Sequence, residues 1–229
     1  MKKIVAPLLL ALCLLPATAA NATEEVLTLD SSLDQGVYSR VFVVNSAYML
    51  KDKDYVPNES YLGLFTNWSY SPEANNPFQV RARYCLPYPG GADAATAQLV
   101  GLDLLDEGKV LVAMQGDLNA TPANVQVIRP AYYEPGSYRL GPTFIGRGFY
   151  QRSYYQQSAP VYHPALSCVS GNGSFDLSPV ASTLATLPDK TLKIRLRFDN
   201  GETSNWQLGS GTVRELKKLV GIREKMLAP

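Results

Sequence analysis

Apolar and polar residues alternate most clearly over residues 191–198 (TLKIRLRF), where Leu192, Ile194, Leu196 and Phe198 take one side and Lys193, Arg195 and Arg197 the other. A period of two is that of a half-buried strand. Asn200-Gly201 follows as a turn pair suited to positive φ angles, so residues 202–208 are expected to return as the second strand of a hairpin. Residues 79–86 (QVRARYCL) repeat the alternation, with Val80, Ala82 and Tyr84 set against Arg81 and Arg83, while 37–44 (VYSRVFVV) is β-branched and aromatic. Both predict strands, as does the short run 125–128 before Pro130. Residues 98–115 fit a helix through Leu99, Leu102 and Leu105. The turn signal Asp106-Glu107-Gly108 before 110–114 favours a hairpin instead.

The period changes to that of a helix only near the C-terminus. Thr212-Val-Arg-Glu215 has the spacing of a capping box, in which the threonine hydroxyl takes an orphan N–H and the glutamate reaches back to the cap. Val213, Leu216, Leu219 and Val220 then form one apolar stripe, and Gly221 is expected to stop the helix. The fold class that follows is mainly β, with α+β as the alternative. It is expected to be an antiparallel β-sandwich or barrel-like domain ending in a β-hairpin and an amphipathic helix. No repeat of 20 to 50 residues appears, which argues against solenoids and propellers.

Residues 1–22 carry a different pattern. Lys2 and Lys3 precede an apolar run from Ile4 to Leu15, then Pro16 and the small-x-small site Ala20-Asn21-Ala22, the layout of a secretory signal peptide. Cys13 raises lipidation as an alternative, but Leu12 stands where a small residue is wanted. The run is too short to span a bilayer, and no later segment approaches the needed length. Residues 23–229 are therefore expected to form one exported, soluble, β-rich domain in the periplasm or outside the cell, with no transmembrane anchor. Losing Lys2 and Lys3 takes 21 basic residues to 19 against 20 acids, a net charge of about −1. That balance argues against a nucleic-acid partner, whose binding draws on clustered cations.

Cys85 and Cys168 remain after cleavage. An even pair in an exported chain predicts one disulfide, closing a long loop and worth roughly 4 kcal/mol in the chain-entropy model.

Catalytic patterns are scarce. His163 is the single histidine, which excludes multi-histidine zinc sites, and there is no nucleophile elbow, phosphate loop or dinucleotide fingerprint. Carboxylates alone could run glycoside hydrolysis, with Asp103, Asp106, Glu107, Asp117 and Glu134 as candidates, but nothing in their spacing selects a pair. The charged clusters 51–54 (KDKD) and 30–34 read as loops without the regular oxygen-ligand spacing of a calcium loop. No metal and no cofactor is expected. The basic side of 191–198 is expected to pair with Glu202 and other acids across the hairpin rather than to hold an anion. Four N-x-S/T sequons, at Asn58, Asn67, Asn119 and Asn172, have meaning only in a eukaryotic route, and the Lys-Lys signal reads as bacterial.

Residues 132–162 stand apart. Nine of these 31 residues are aromatic, interleaved with arginine, glutamine, glycine and proline. Tyrosine and arginine give large contact area with a polar handle and dominate interface hot spots. The segment is either an interaction surface or a pair of strands whose inward rings fill a core. If it is extended, adjacent tyrosines must face opposite sides. The candidate binding residues are Tyr132, Tyr133, Arg147, Tyr150, Arg152, Tyr154 and Tyr155. The leading expectation is a noncatalytic exported binding or assembly protein that holds a protein or envelope-glycan partner. A carboxylate-dependent glycan-active enzyme and a structural component of an envelope assembly are the alternatives.

Overall fold

The computed structural model describes residues 27–28, 36–57, 59–88, 97–116, 121–140 and 155–228. Residues 1–22, read from the sequence as a signal peptide, the acidic cluster 30–34, and Asn58, Asp117 and Asn119 lie outside them. Strands β1 (Leu27–Thr28), β2 (Val41–Val44), β3 (Ala47–Val56), β4 (Glu59–Tyr70) and β5 (Phe78–Tyr88) run side by side. The chain then builds the hairpin β6 (Leu99–Asp106) and β7 (Lys109–Gln115), returns as β8 (Thr121–Arg129), and passes through four short strands. It re-enters the first sheet as β13 (Leu166–Asp176), between β5 and β8, giving a seven-stranded order β1-β2-β3-β4-β5-β13-β8. A 3-10 turn at Ser178–Val180 and the short helix α1 (Ala181–Ala185) lead to β14 (Leu192–Phe198), β15 (Thr203–Leu208) and α2 (Ser210–Leu227). The second sheet has the order β15-β14-β6-β7. Every pairing is antiparallel except that of β1 with β2.

Alternation decides which side of each strand is buried. Trp68 on β4 faces Val80 on β5, and Leu196 on β14 faces Leu102 on β6; all four are buried, in a single cluster that also takes Val213, Leu216, Leu219 and Val220 from α2. The mainly β fold with a terminal hairpin and helix is thus as the patterns predict, and residues 98–115 form the hairpin. The strand expected at 37–44 begins only at Val41, and the turn of the β14–β15 hairpin uses three residues. Gly201, at φ +85°, donates its N–H to Phe198 O, while Asn200 is not in the left-handed region. Asn67 and Asn172 lie inside paired strands.

Three expectations need correcting. The capping box does not form, because the helix starts at Ser210 directly after β15, with Gly209 as its N-cap. Thr212 is already inside the first turn, and its hydroxyl donates to Asp52 Oδ1 at 2.5 Å and lies 2.8 Å from Ser39 Oγ. Glu215 accepts the Val41 N–H at 2.7 Å. Both residues of the sequence box instead fasten the helix to β2 and β3. Gly221 does not end the helix either. Its cost of about 1 kcal/mol relative to alanine is offset by Ile222 packing on the core and by Arg223 over the Phe78 ring at 5.2 Å. Lastly, the KDKD cluster is not a loop but the middle of β3, with Asp52 and Thr212 buried beneath it.

Burial pushes the Asp52 carboxyl above its ordinary value of 3.8, partly opposed by the hydrogen bonds from Thr212 and Ser39. The folded state therefore binds this proton more tightly than the unfolded chain, so the contribution of Asp52 is most favourable below about pH 4 and is lost as pH rises through the raised folded value. Asp52→Asn keeps the shape and an acceptor for Thr212 but removes the charge. The variant is expected to show a flatter loss of stability above about pH 4 than the parent, measured by urea unfolding at a series of pH values. Parallel profiles would show that Asp52 ionises freely in the fold.

The disulfide is present. Cys85 on β5 is joined to Cys168 on β13, Cα atoms 5.4 Å apart. In the strand register Cys85 faces Ser170 and Cys168 faces Pro87, so the bridge runs diagonally between adjacent strands. Among the described residues no helix is long and apolar enough to cross a membrane.

Candidate functional site

The described parts of the aromatic segment, 132–140 and 155–162, form an antiparallel ribbon. β9 (Tyr132–Glu134) pairs with β12 (Val161–His163), and β10 (Tyr138–Leu140) pairs with β11 (Tyr155–Gln157). The two ladders share one register: Tyr132 faces His163, Tyr138 faces Gln157, and the Ser158 N–H donates to Ser137 O between them at 3.0 Å. The same register places Leu166 opposite Arg129, so the ribbon continues the β8–β13 pair out of the large sheet. Two register shifts in that pair, at Leu166/Ser167 and Ser170/Asn172, increase local twist.

Prolines divide the ribbon. By the common register Pro135 stands opposite Pro160, and Pro130 and Pro164 fall in the facing breaks between the ladders of β8–β13 and β9–β12. Each removes a backbone donor, which interrupts the ladder and also blunts the ribbon's own edges against strand addition. A partner would therefore be met through side-chain faces.

Those faces differ. On one, Tyr132 stacks on the His163 ring at 4.6 Å, His163 Nε2 lies 3.0 Å from Glu134 Oε2, and the Arg129 guanidinium sits 5.7 Å from the Tyr132 ring. On the other, Tyr133 and Tyr162 form a tilted pair at 5.0 Å, with relative exposures of 69% and 54%. Tyr132 and Tyr133 are both exposed, so neither is buried in a core. That overturns the core-filling reading for this pair and agrees with opposite faces for adjacent tyrosines. At the base of the ribbon Val125 and Val127 are exposed on the sheet's edge strand.

Of the sequence candidates, Tyr132 and Tyr133 lie on the ribbon and Tyr155 is in β11. Arg147, Tyr150, Arg152 and Tyr154 fall outside the described residues. Tyr162, His163, Glu134 and Arg129 belong with the site and were recoverable from the sequence only through the ribbon's register, which no local pattern sets.

The carboxylates proposed for glycan chemistry are engaged wherever they are described. Asp103 holds Arg195 and Arg197, Asp106 and Glu107 hold Lys190, and Glu134 holds His163. The partner of the basic strand is thus Asp103 on β6, not Glu202. Among the described residues no cluster of three metal-ligating side chains occurs.

No family model matches the chain. No curated protein matches it either. One solved structure, that of a flagellar-like filament, aligns at 8% identity over 84% of this chain and 87% of that one with a TM-score of 0.20, too low to describe a shared fold.

Proposed function

We propose that the chain is an exported, noncatalytic recognition protein that holds a protein partner against the tyrosine face of its ribbon. The observation that supports this is the Tyr133–Tyr162 pair, more than half exposed on a two-stranded element. An isolated ribbon is marginal in water, and exposed aromatic pairs of this kind match the hot spots of interfaces. Pro135 and Pro160 come next along the same face by register, so the surface is apolar and uncharged where the opposite one is ionic. That chemistry favours a protein over a glycan. Export is supported by the signal pattern of residues 1–22 together with the Cys85–Cys168 bridge.

A photoreactive residue placed at position 133 or 162 in the native cell is expected to give a discrete adduct with one protein. Tyr133→Ser combined with Tyr162→Ser should weaken that complex by at least about thirtyfold, since a hot-spot ring contributes roughly 2 kcal/mol. Stability should change by less than about 0.5 kcal/mol per site. Unchanged affinity in the double variant, or no adduct from either position, would overturn the proposal.

A further inference from the structure

We infer that the outer face of the seven-stranded sheet carries a second site, for an acidic saccharide. The site rests on β3, β4 and β5 and is independent of the ribbon. Their register sets two rows across the outer face: Lys51, Asn67 and Arg81 in one, Lys53, Phe65 and Arg83 in the next. Tyr38, Lys51, Phe65, Asn67, Arg81 and Arg83 line a cavity of about 270 Å³ near the lower end of small-ligand pockets, and Lys53 stands beside it on the Tyr38 ring.

Charge sorting is the first support. Strands β3 and β5 place four cations on this face of a chain whose acids and bases almost cancel. The acids that alternate with the lysines point the other way: Asp52 accepts from Thr212, and Asp54 accepts the Gln207 N–H at 2.7 Å. In the KDKD run, period two therefore ties both carboxylates to partners on the inner side and sends the ammonium groups outward; Asp52 also lines the cavity, where its carboxylate is held by Thr212.

The manner in which two of the cations are held is the second support. Lys53 Nζ lies 4.2 Å from the Tyr38 ring centroid, and the Arg83 guanidinium lies 5.3 Å from that of Phe65. A cation resting on a ring is oriented without being neutralised and keeps its donors for an arriving anion. The same rings offer flat apolar surface to the C–H face of a sugar.

Asn67 separates a saccharide from a bare anion. Its Oδ1 is shielded from water and has no hydrogen-bond partner, and Asn67 lies in the groove lining between Lys51 and Arg81. A buried acceptor left unpaired is costly, so a turn of the Asn67 side chain that brings it to a ligand donor is favourable. Carboxylate and sulfate offer none at neutral pH and hydrogen phosphate offers a single O–H, whereas a sugar ring carries several hydroxyl donors. The ligand chemistry that meets cations, rings and this acceptor together is a pyranose bearing a carboxylate or a phosphate.

Titration calorimetry on the mature chain tests the inference with five probes: a trigalacturonate, glucose 6-phosphate, a neutral trisaccharide, inorganic phosphate and a thymidine oligonucleotide. At least one acidic sugar is expected to bind, with affinity falling as salt rises and at least tenfold above the neutral trisaccharide and inorganic phosphate. The trigalacturonate and glucose 6-phosphate arms tell a uronate source from a phosphosugar one. Arg81→Ala with Arg83→Ala should lower that affinity at least tenfold, and both side chains are exposed, so the fold should persist. Asn67→Leu should erase most of the preference for acidic sugar over phosphate. Tyr133→Ser with Tyr162→Ser should leave saccharide binding unchanged, which keeps a failure here distinct from failure of the ribbon. Equal or tighter binding of phosphate or of the oligonucleotide, no binding of either acidic sugar at millimolar concentration, or full affinity in the arginine double variant would overturn it.

Discussion

Replacing Cys85 and Cys168 together by alanine is expected to lower the free energy of unfolding by about 4 kcal/mol. The bridged residues lie 83 positions apart, and the loop they close contains the β6–β7 hairpin, β8 and the whole aromatic ribbon. Folded-state contacts change little, because β5 and β13 stay paired along ten facing positions. The loss therefore arises mostly in the unfolded chain, which gains the freedom of a long open loop. Cys168 is fully buried, so the lost sulfur adds a small packing cost, and alanine is the better probe than serine because no hydroxyl is then left without a partner. Urea titration of the variant beside the oxidised parent checks this, and the slope of the transition should steepen as the denatured state expands. A loss below about 1 kcal/mol would mean that the unfolded chain keeps these two strands close without the bridge.

Local periodicity made much of this architecture readable. The strands over 79–86 and 191–198, the hairpin at 98–115 and the buried stripe of α2 follow from patterns that a few neighbouring residues express, and the structure contains each. Partners distant in the chain were not readable. Thr212 and Glu215 have the spacing of a local cap, yet they meet Asp52 and Val41, 160 and 174 positions away. Adjacent charges at 51–54 suggested a loop because lysine and aspartate are poor strand residues. Their alternation was the truer signal, since each face of a strand is judged by its own neighbours. The insertion of β13 between β5 and β8 has no local signature at all.

The candidate site was legible as composition and not as geometry. A concentration of tyrosines marks residues 132–162, but which rings meet depends on the register that the β8–β13 pair passes along the ribbon. Tyr133 finds Tyr162 and Tyr132 finds His163 for that reason alone. The outer face of the large sheet escaped notice for a related reason. Arg81 and Arg83 were recognised as the polar side of one strand, but only the pairing of β5 through β4 to β3 brings Lys51 and Lys53 to the same surface.

Asp103→Ala is expected to cost about 3 kcal/mol, the next largest loss, because it strands two cations on the face of the small sheet. The carboxylate is 3% exposed and uses both oxygens. Arg195 donates to Oδ2 from Nε at 3.0 Å and from Nη2 at 2.6 Å, and Arg197 Nε donates to Oδ1 at 3.1 Å. Arg197 reaches this position across Gly101, where an added Cβ would stand 2.3 Å from Nη2, so the glycine is what admits the guanidinium. With the carboxylate removed, two like charges on alternate residues of β14 face a buried backbone. Both arginines keep about 30% exposure, and water reaching them holds the loss to the lower part of the range for a broken buried pair. Asp103→Asn should lose less, since one oxygen still accepts. A double-mutant cycle of Asp103→Ala with Arg195→Ala is expected to give a coupling of about 1–3 kcal/mol in urea unfolding. Coupling within error of zero, together with a loss under about 1 kcal/mol for Asp103→Ala, would show that both guanidinium groups swing into solvent when freed and that the triad behaves as an ordinary surface pair.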